Sequence, residues 1–226
     1  MVVSAVIPAY NEAGTIGKTV RALQEVDAVD EIIVVDDGSR DGTAQAARDA
    51  GALTFSLAVN CGKGQALAVG CAMAKGDILL LLDADLGDSA REAAVLLEPV
   101  TAGEADMSIA VLPLTPGEGG FGLVQGLSRW AVKKSGGPAL TQPLSGQRAM
   151  RRAVWRELGT GSGFGVETAL GMGIHSLGYR VVEVQAAMTH RRTGRDLRGM
   201  LHRGRQLIHV LLTILRHWRR LLRWGT

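Results

Sequence analysis

Short apolar runs alternate with longer stretches of mixed character along the first 111 residues. The runs cover residues 2–7, 31–35, 53–59, 77–83 and 105–111, and each predicts a strand. The runs at 31–35 and 77–83 are uninterrupted, which predicts burial on both faces of the sheet. Between them, helices are predicted over 13–26, 43–50, 61–74 and 89–100. Apolar residues share one face of the first helix, and Ser89-Ala90-Arg91-Glu92 fits a capping box at the start of the last. This alternation predicts an α/β fold with a doubly wound, mostly parallel sheet.

The second half of the chain is more broken. Glycine and proline crowd residues 113–122, which predicts a loop at the ligand edge of the sheet. Further helices are predicted at 121–134 and 166–177, followed by a strand at 180–188. We expect one domain over residues 1–195 and an appended helix over 196–226.

The appended segment is strongly basic. Residues 197–226 hold seven arginines and no acid, and subtracting this +7 from the net charge of +3 leaves about −4 for the first 196 residues. Its apolar residues fall on one helical stripe, and its arginines lie largely off that stripe. The stripe comprises Leu201, Ile208, Leu211, Leu215, Trp218 and Leu222. This pattern predicts a basic amphipathic helix.

A helix of this kind suits an anionic membrane surface. The alternatives are packing on the domain and packing on a second subunit as a homodimer. Nucleic acid is disfavoured as a partner, because no stacking aromatic side chains interleave with the arginines.

The composition limits the class of protein. With 46% hydrophobic and 21% charged residues, the chain is able to bury a core and is not disordered. Cys61 and Cys71 are too few for a disulfide framework, which predicts reduced, mostly buried thiols. No apolar run approaches the roughly 20 residues of a membrane-spanning helix, and the start of the chain lacks signal-peptide features. We expect a cytoplasmic protein, peripheral on the inner face of the membrane if the tail binds lipid.

Two acids follow the predicted strand at 77–83. Alternate strand residues face the same side, so Asp83 and Asp85 can share a site at the carboxyl edge, where ligands of such sheets bind. Two carboxylates so close repel each other unless a cation or substrate lies between them. The pair therefore predicts a divalent metal that holds a phosphorylated ligand. An ordinary polar exit from the strand is the alternative.

Three other stretches lie at strand exits or helix starts: residues 8–12 (Pro-Ala-Tyr-Asn-Glu), 35–39 (Val-Asp-Asp-Gly-Ser) and 62–64 (Gly-Lys-Gly). Acids there can accept hydrogen bonds from a base and a ribose, and a lysine at a helix start can meet a phosphate. Ordinary turn chemistry is the alternative for each. Neither the spacing of a P-loop nor a Gly-x-Gly-x-x-Gly after the first strand is present, which disfavours an ATPase or a nicotinamide or flavin enzyme.

Taken in order, these stretches and Leu-Asp-Ala-Asp resemble the family-2 glycosyltransferases of GT-A fold, over roughly residues 2–195. The resemblance implies a metal-dependent transfer of a hexosyl group from a UDP- or GDP-sugar donor. It places Lys63 near the ribose or diphosphate. The other residues implied to line the nucleotide sugar are Pro8, Tyr10, Glu12, Asp37 and Asp83.

The resemblance also implies a metal set. Asp83 and Asp85 would bind the donor through Mg²⁺ or Mn²⁺, with Asp85 as the direct ligand. Residues 163–167 resemble the Gly-x-Gly-Val-Glu segment of glucosyl-3-phosphoglycerate synthases, and His190 resembles their further metal ligand. Asp85 and Glu167 are the predicted catalytic residues. Glu167 is either the general base of an inverting transfer or a hydrogen-bond partner of sugar or acceptor hydroxyls in a retaining one.

The acceptor stays open. Polyprenyl-phosphate sugar transferases continue their Asp-x-Asp with Gln and a proline-rich turn, and this chain has Leu-Gly-Asp-Ser at 86–89. We expect polyprenyl phosphate or a small phosphorylated molecule, with Arg192 and Arg195 as phosphate-binding candidates. Weaker candidates, for most of which a solvated basic surface is the alternative, are Arg148, Arg151, Arg152 and Arg191.

Two other classes of protein compete with this prediction. One is a non-catalytic protein of the same fold that binds sugar nucleotides or acts as a membrane scaffold. The other is a sugar-nucleotide-forming nucleotidyltransferase, which is disfavoured because its Gly-x-Gly-Thr-Arg loop is absent after the first strand.

Overall fold

A seven-stranded sheet forms the centre of the molecule in a computed structural model that describes residues 1–113, 123–159, 165–189, 207–208 and 210–215. The strands are β1 Val3–Ala9, β2 Glu31–Asp36, β3 Leu53–Ser56, β4 Ile78–Leu81, β5 Met107–Val111, β6 Arg148–Arg151 and β7 Val181–Gln185. The helices are α1 Ile16–Gln24, α2 Thr43–Asp49, α3 Lys63–Met73, α4 Ala94–Thr101, α5 Leu123–Lys134, α6 Arg152–Leu158 and α7 Val166–Gly173. Single 3-10 helices cover Gly87–Ala93 and His175–Leu177.

The strand order is β3-β2-β1-β4-β6-β5-β7. Only β6 is antiparallel to its neighbours β4 and β5, so six of the seven strands run the same way. The mostly parallel α/β sheet is therefore confirmed. Strand β6 was not predicted, because its sequence Arg-Ala-Met-Arg is too short and too polar at its ends to stand out as an apolar run.

Strand β1 lies between β2 and β4, so the order of strands reverses at this point. Ligands of open α/β sheets bind in the crevice outside the carboxyl ends at such a reversal. The register pairs Ala9 with Asp36, which brings the loops after β1 and β2 side by side. The loop after β4 follows on the other side of β1.

Helices cover both faces of the sheet. Successive strand residues belong to different core clusters: Ile7 and Leu80 pack with α1 and α4, whereas Val6 and Leu79 pack on the other face. That other face is covered by α3, α5, α6 and α7. This alternation follows from the period of two in a strand, and it confirms the doubly wound arrangement.

One predicted helix start is wrong. The Ser89-to-Glu92 pattern predicted a capping box, but a 3-10 helix over Gly87–Ala93 precedes α4 there. The Ser89 hydroxyl donates to the Leu86 carbonyl, at 2.7 Å. A serine that bonds backwards to a carbonyl stabilises a tight turn, which competes with the start of a regular α-helix.

The described part of the tail, residues 207–208 and 210–215, is helical, as predicted. Its contacts differ from the prediction of a basic face opposite the apolar stripe. Val210 and Ile214 are buried in the core cluster of α5 and α7, while Ile208, Leu211 and Leu215 from the stripe are exposed. In this window both faces are apolar, because the neighbouring arginines precede and follow it in the sequence.

The rest of the predicted tail helix and the domain boundary near residue 195 lie outside the described residues. Within the described ranges, no helix is both long and apolar enough to cross a bilayer.

Candidate active site

The loops after β1 and β2 are joined by hydrogen bonds that cross between them. Asn11 takes a positive φ of 55°, a conformation that asparagine tolerates better than most residues. Its backbone N–H donates to Ser39 Oγ at 2.9 Å, and its side-chain Oδ1 accepts from the Arg40 N–H at 3.0 Å. The Glu12 N–H donates to Thr43 Oγ1 at 2.8 Å. These bonds build one continuous wall from the predicted nucleotide-binding loops.

Asp37 connects this wall to the start of α3. Its side chain is buried, and its two oxygens accept from the backbone N–H groups of Cys61 and Gly62 at 2.7 and 2.8 Å. Gly38 has a φ of +74°, and a Cβ there would lie 2.7 Å from the Val59 carbonyl carbon. The acid predicted to line the nucleotide therefore also fixes the loop that delivers Lys63.

A buried threonine braces the Asp-x-Asp segment. The Thr19 hydroxyl, on α1, donates to the Ala84 carbonyl and accepts from the Gly87 N–H, both at 2.9 Å. These two bonds fix the backbone around Ala84. They therefore restrict where the partly exposed side chains of Asp83 and Asp85 can lie. Sequence reasoning missed Thr19, and its only sign there was a polar residue next to the apolar positions of the α1 face.

Lys63 lies at the centre of the site. Its Nζ is 2.8 Å from Asp83 Oδ1 and 2.9 Å from Glu167 Oε1. On the other side of the carboxylate, Gln147 Nε2 donates to Asp83 Oδ2 at 2.9 Å. Only 6% of Glu167 and 1% of Gln147 are exposed. We call these four residues the lysine cluster. They come from the start of α3, the exit of β4, the entry to β6 and the start of α7.

The electrostatics of the lysine cluster keep Lys63 charged. Burial by itself lowers the pKa of Lys63, but the charges and hydrogen bonds of Asp83 and Glu167 outweigh burial and raise it above its ordinary value. One ammonium and two carboxylates leave an excess of one negative charge when both acids are ionised. The cluster combines buried polar groups with partners for each, as a charged interior requires.

The loop before β6 packs directly against Lys63 and Asp83 of the lysine cluster. A Cβ built on Gly146 would lie 2.6 Å from Lys63 Nζ and 2.7 Å from Asp83 Oδ2, so a glycine backbone fits there and a larger residue displaces the cluster. Glu183 on β7 accepts from the backbone N–H groups of Thr141 and Gln142 at 2.8 to 2.9 Å. The loop is therefore preformed.

Arg148 holds the same loop from inside. Its side chain is 1% exposed, Nε donates to the Ser145 carbonyl at 2.9 Å and Nη2 to the Pro143 carbonyl at 2.6 Å. Burial lowers the pKa of Arg148 to about 10, although Glu167 and Glu183 oppose that shift. Both earlier interpretations of Arg148, a phosphate ligand and a solvated surface charge, are wrong, because its guanidinium is enclosed and donates to backbone carbonyls.

Several predicted site residues lie outside the described residues, namely His190, Arg191, Arg192 and Arg195. Of the described residues, no three His, Cys, Asp or Glu side chains come together as a metal site. The set of Asp83, Asp85 and His190 therefore stays a prediction. So do the nucleotide contacts of Pro8, Tyr10 and Glu12, which lie on the β1 exit, with Tyr10 exposed.

A mostly parallel sheet with acids and a lysine at the carboxyl ends of adjacent strands is an arrangement of nucleotide-sugar transferases of GT-A fold. The family model for glycosyl transferase family 2 matches residues 4–159, and the chain belongs to this family.

Characterised relatives match parts of the chain. It is 31% identical over 192 residues to the glucosyl-3-phosphoglycerate synthase of Mycolicibacterium paratuberculosis, which covers 74% of this chain and 58% of the relative. It is 36% identical over 111 residues to the undecaprenyl-phosphate 4-deoxy-4-formamido-L-arabinose transferase of Aeromonas hydrophila, which covers 45% of this chain and 34% of the relative. The matched part thus spans about a third to three fifths of these relatives' lengths.

Solved structures match more of the fold. Glucosyl-3-phosphoglycerate synthase of Mycobacterium tuberculosis in complex with phosphoglyceric acid superposes with a TM-score of 0.81 at 30% identity, over 95% of this chain and 79% of that one. The same enzyme in complex with Mn²⁺, UDP and phosphoglyceric acid gives a TM-score of 0.80 at 29% identity, over 95% and 78% of the two chains. These similarities confirm the predicted GT-A fold.

Proposed function

We propose that this protein is a metal-dependent hexosyltransferase that uses a UDP-sugar as donor. The lysine cluster at the carboxyl edge of the sheet is the observation that carries the proposal. A retained ammonium among carboxylates, next to a second aspartate, suits a donor whose leaving group is a diphosphate. The related structures hold UDP with Mn²⁺, or UDP with Mg²⁺, which supports UDP over GDP.

The donor's parts are assigned to different residues. Lys63 would meet the diphosphate, because its charge is kept by two neighbouring acids. The wall that contains Tyr10 and Glu12 would hold the base and ribose, with Pro8 beneath them. Asp37 would support that wall through its bonds to the loop before α3.

The carboxylate proposed as the direct metal ligand is Asp85. Both oxygens of Asp83 contact protein donors, Lys63 and Gln147, and Asp85, partly exposed like Asp83, follows on the segment that Thr19 braces. Carboxylate and imidazole ligands suit Mn²⁺ or Mg²⁺, so Asp85 together with His190 fits such an ion. When bound, the cation would neutralise the charge that develops on the diphosphate leaving group.

The acceptor is proposed by chemical class. Related structures hold phosphoglyceric acid, and a second group of relatives is named for transfer to undecaprenyl phosphate, so both acceptors carry phosphate. We therefore propose a phosphorylated acceptor, with Arg192 and Arg195 as its ligands. A screen for transfer should therefore test two classes of acceptor, a polyprenyl phosphate and a small phosphorylated molecule.

Binding of the donor tests the enzyme proposal directly. We expect UDP-glucose or another UDP-sugar to raise the thermal unfolding temperature only with Mn²⁺ or Mg²⁺, since a ligand at 100 times its Kd stabilises the folded state by about 2.7 kcal/mol. Asp85→Ala should abolish this shift and the metal-dependent release of UDP. Asp27→Ala, an exposed acid after α1, is the matched control.

A metal-independent shift, or binding without turnover with any acceptor class, would contradict the enzyme proposal. Binding without turnover would instead favour the non-catalytic alternative.

We propose further that the tail attaches the protein to an anionic membrane surface. In the described part of the tail, one side of the helix packs on the core, and the opposite side exposes Ile208, Leu211, Leu212 and Leu215. The seven arginines of residues 197–226 complement anionic lipid, and they would repel the identical tail of a second copy.

Sedimentation with vesicles tests this attachment. The full chain should sediment with phosphatidylglycerol vesicles and not with phosphatidylcholine vesicles. The variant Ile208→Ser, Leu211→Ser, Leu215→Ser should lose most of that binding while it keeps donor binding. Equal sedimentation of the two proteins would refute the membrane proposal. A concentration-dependent dimer that the three serines dissociate would refute it in favour of the homodimer.

A further inference from the structure

Glu167 has two open roles from its sequence context, but its contacts indicate a third. Its carboxylate is 6% exposed and its Oε1 lies 2.9 Å from Lys63 Nζ, in the same cluster as Asp83. A cation from α3 therefore contacts this carboxylate directly.

A general base must bring a carboxylate oxygen to the proton that it accepts. Glu167 is largely buried, and its Oε1 contacts the Lys63 ammonium instead. Releasing this contact would break a buried ion pair, which costs free energy. The contact with Glu167 also restricts the conformation of Lys63. Lys63 is a long, flexible side chain, and it loses much rotamer freedom when its ammonium is held in one place.

We propose that Glu167 is a positioning residue of the donor site, which holds the Lys63 ammonium beside Asp83, where the diphosphate of the donor arrives. This inference rests on the proposed function. Glu167 lies in the first turn of α7, and Lys63 lies at the start of α3. The Lys63 side chain extends between the two helices to contact Glu167. Glu167 then acts on the donor through Lys63 and does not take a proton from the acceptor.

The atom of Glu167 that contacts the ammonium in this arrangement is the side-chain oxygen Oε1. Glu167→Gln keeps an oxygen at the same place and should hold Lys63, while Glu167→Leu has a similar size and no acceptor. The two variants therefore separate a contact with Lys63 from the chemistry of a base, since neither glutamine nor leucine can act as one.

The test is the affinity for UDP in the presence of Mn²⁺, measured by titration calorimetry, which needs no knowledge of the acceptor. We expect Glu167→Gln to bind UDP within about threefold of the wild type and Glu167→Leu to bind about tenfold more weakly, a loss of about 1.4 kcal/mol. Lys63→Met alone should weaken binding by about tenfold or more. Glu167→Leu should add less than about twofold to Lys63→Met, because coupled residues give non-additive effects.

Glu157→Leu is the matched control. It removes an exposed glutamate that accepts from the Tyr179 hydroxyl at 2.9 Å, and it should leave UDP affinity unchanged. Thermal unfolding of each variant separates loss of fold from loss of the contact, since a purely structural effect of Glu167→Leu would persist in full beside Lys63→Met.

The outcomes are distinct. A wild-type protein that does not bind UDP with Mn²⁺ overturns the proposed function itself. If the wild type binds UDP, then unchanged or tighter binding by Glu167→Leu, or a full additive loss beside Lys63→Met, overturns the positioning role alone. Wild-type affinity in Lys63→Met also overturns it.

Discussion

At the scale of single residues, polar side chains that bind backbone groups shape the site. Thr19 holds the Asp-x-Asp segment, Asp37 holds the loop before α3, and Arg148 holds the loop before β6. Each of them satisfies backbone groups of a loop, and the bonds of Thr19 and Arg148 are buried, where a polar group without a partner is costly. The residues that would face substrate are thereby left with little freedom, as preorganised electrostatics require.

The two cysteines lead to a prediction at this scale. Both thiols were expected to be mostly buried, but Cys61 is exposed in the loop before α3. Cys71 is buried in α3, where burial raises the pKa of its thiol against the opposing charge of Arg152. Since the thiolate is the reactive form, only Cys61 should react with iodoacetamide in the native protein, and both should react after unfolding. Intact-mass spectrometry would show this, and Cys61→Ser should abolish native labelling.

On the proposed function, UDP with Mn²⁺ should slow the labelling of Cys61. Fast native labelling of Cys71 would contradict its burial.

At the scale of elements, the packing of α3 on the sheet decides where Lys63 lies. Gly70 is the contact point: a Cβ there would lie 2.4 Å from Val6 Cγ1 on β1 and 3.1 Å from Val35 Cγ2 on β2. Both neighbours are fully buried branched side chains, so they have little room to give. The close approach lets the start of α3 reach the carboxyl edge beside Asp83.

Gly70→Ala should therefore destabilise the fold by about 1–3 kcal/mol, as overpacking of a core does. Gly126→Ala is the matched control, because Gly126 is an exposed position in α5 with nothing within 4 Å of its added Cβ. It should stabilise by about 0.5–1 kcal/mol through better helix propensity. Urea unfolding measures both, and a Gly70→Ala protein as stable as the wild type would show that the packing is loose.

At the scale of the whole molecule, the described part of the tail packs in the core cluster that also covers one face of the sheet. Val210 and Ile214 are 0% and 3% exposed within the cluster that also contains residues of α5, α6 and α7. Over this window the helix is apolar on both sides, and apolar sides of a helix are usually buried against another surface. One side packs on the domain, and we propose that the other side binds the membrane.

Truncation of these side chains tests which face is covered by the domain. Val210→Ala and Ile214→Ala should each lower the free energy of unfolding by about 1–4 kcal/mol, through lost burial and the cavity left behind. Leu215→Ala, at a position 51% exposed, should change it by less than about 0.5 kcal/mol. The reverse order in a denaturant titration would mean that the predicted stripe, and not its opposite face, packs on the domain.

The sequence by itself determined the parts of the molecule that depend on local pattern. Buried parallel strands such as β1, β2 and β4 are continuous apolar runs, because both of their faces are covered, and so they stand out in the sequence. Polar loops that follow such strands must then meet at one edge of the sheet. The sequence pattern therefore places Lys63, Asp83 and Asp37 in one region of the molecule.

Only the tertiary structure decided which side chains touch. Glu167 lies more than a hundred residues after Lys63, and Gln147 lies 64 residues after Asp83, so no local period relates them. Strand β6 pairs antiparallel with β4, and this brings Gln147 and Gly146 onto the lysine cluster. The four residues of β6, Arg-Ala-Met-Arg, contain no pattern from which its pairing with β4 could be predicted. Burial patterns and turn preferences depend on neighbouring residues, so they can be predicted from the sequence. The partners of a buried charge depend on how distant segments pack, so only the tertiary structure shows them.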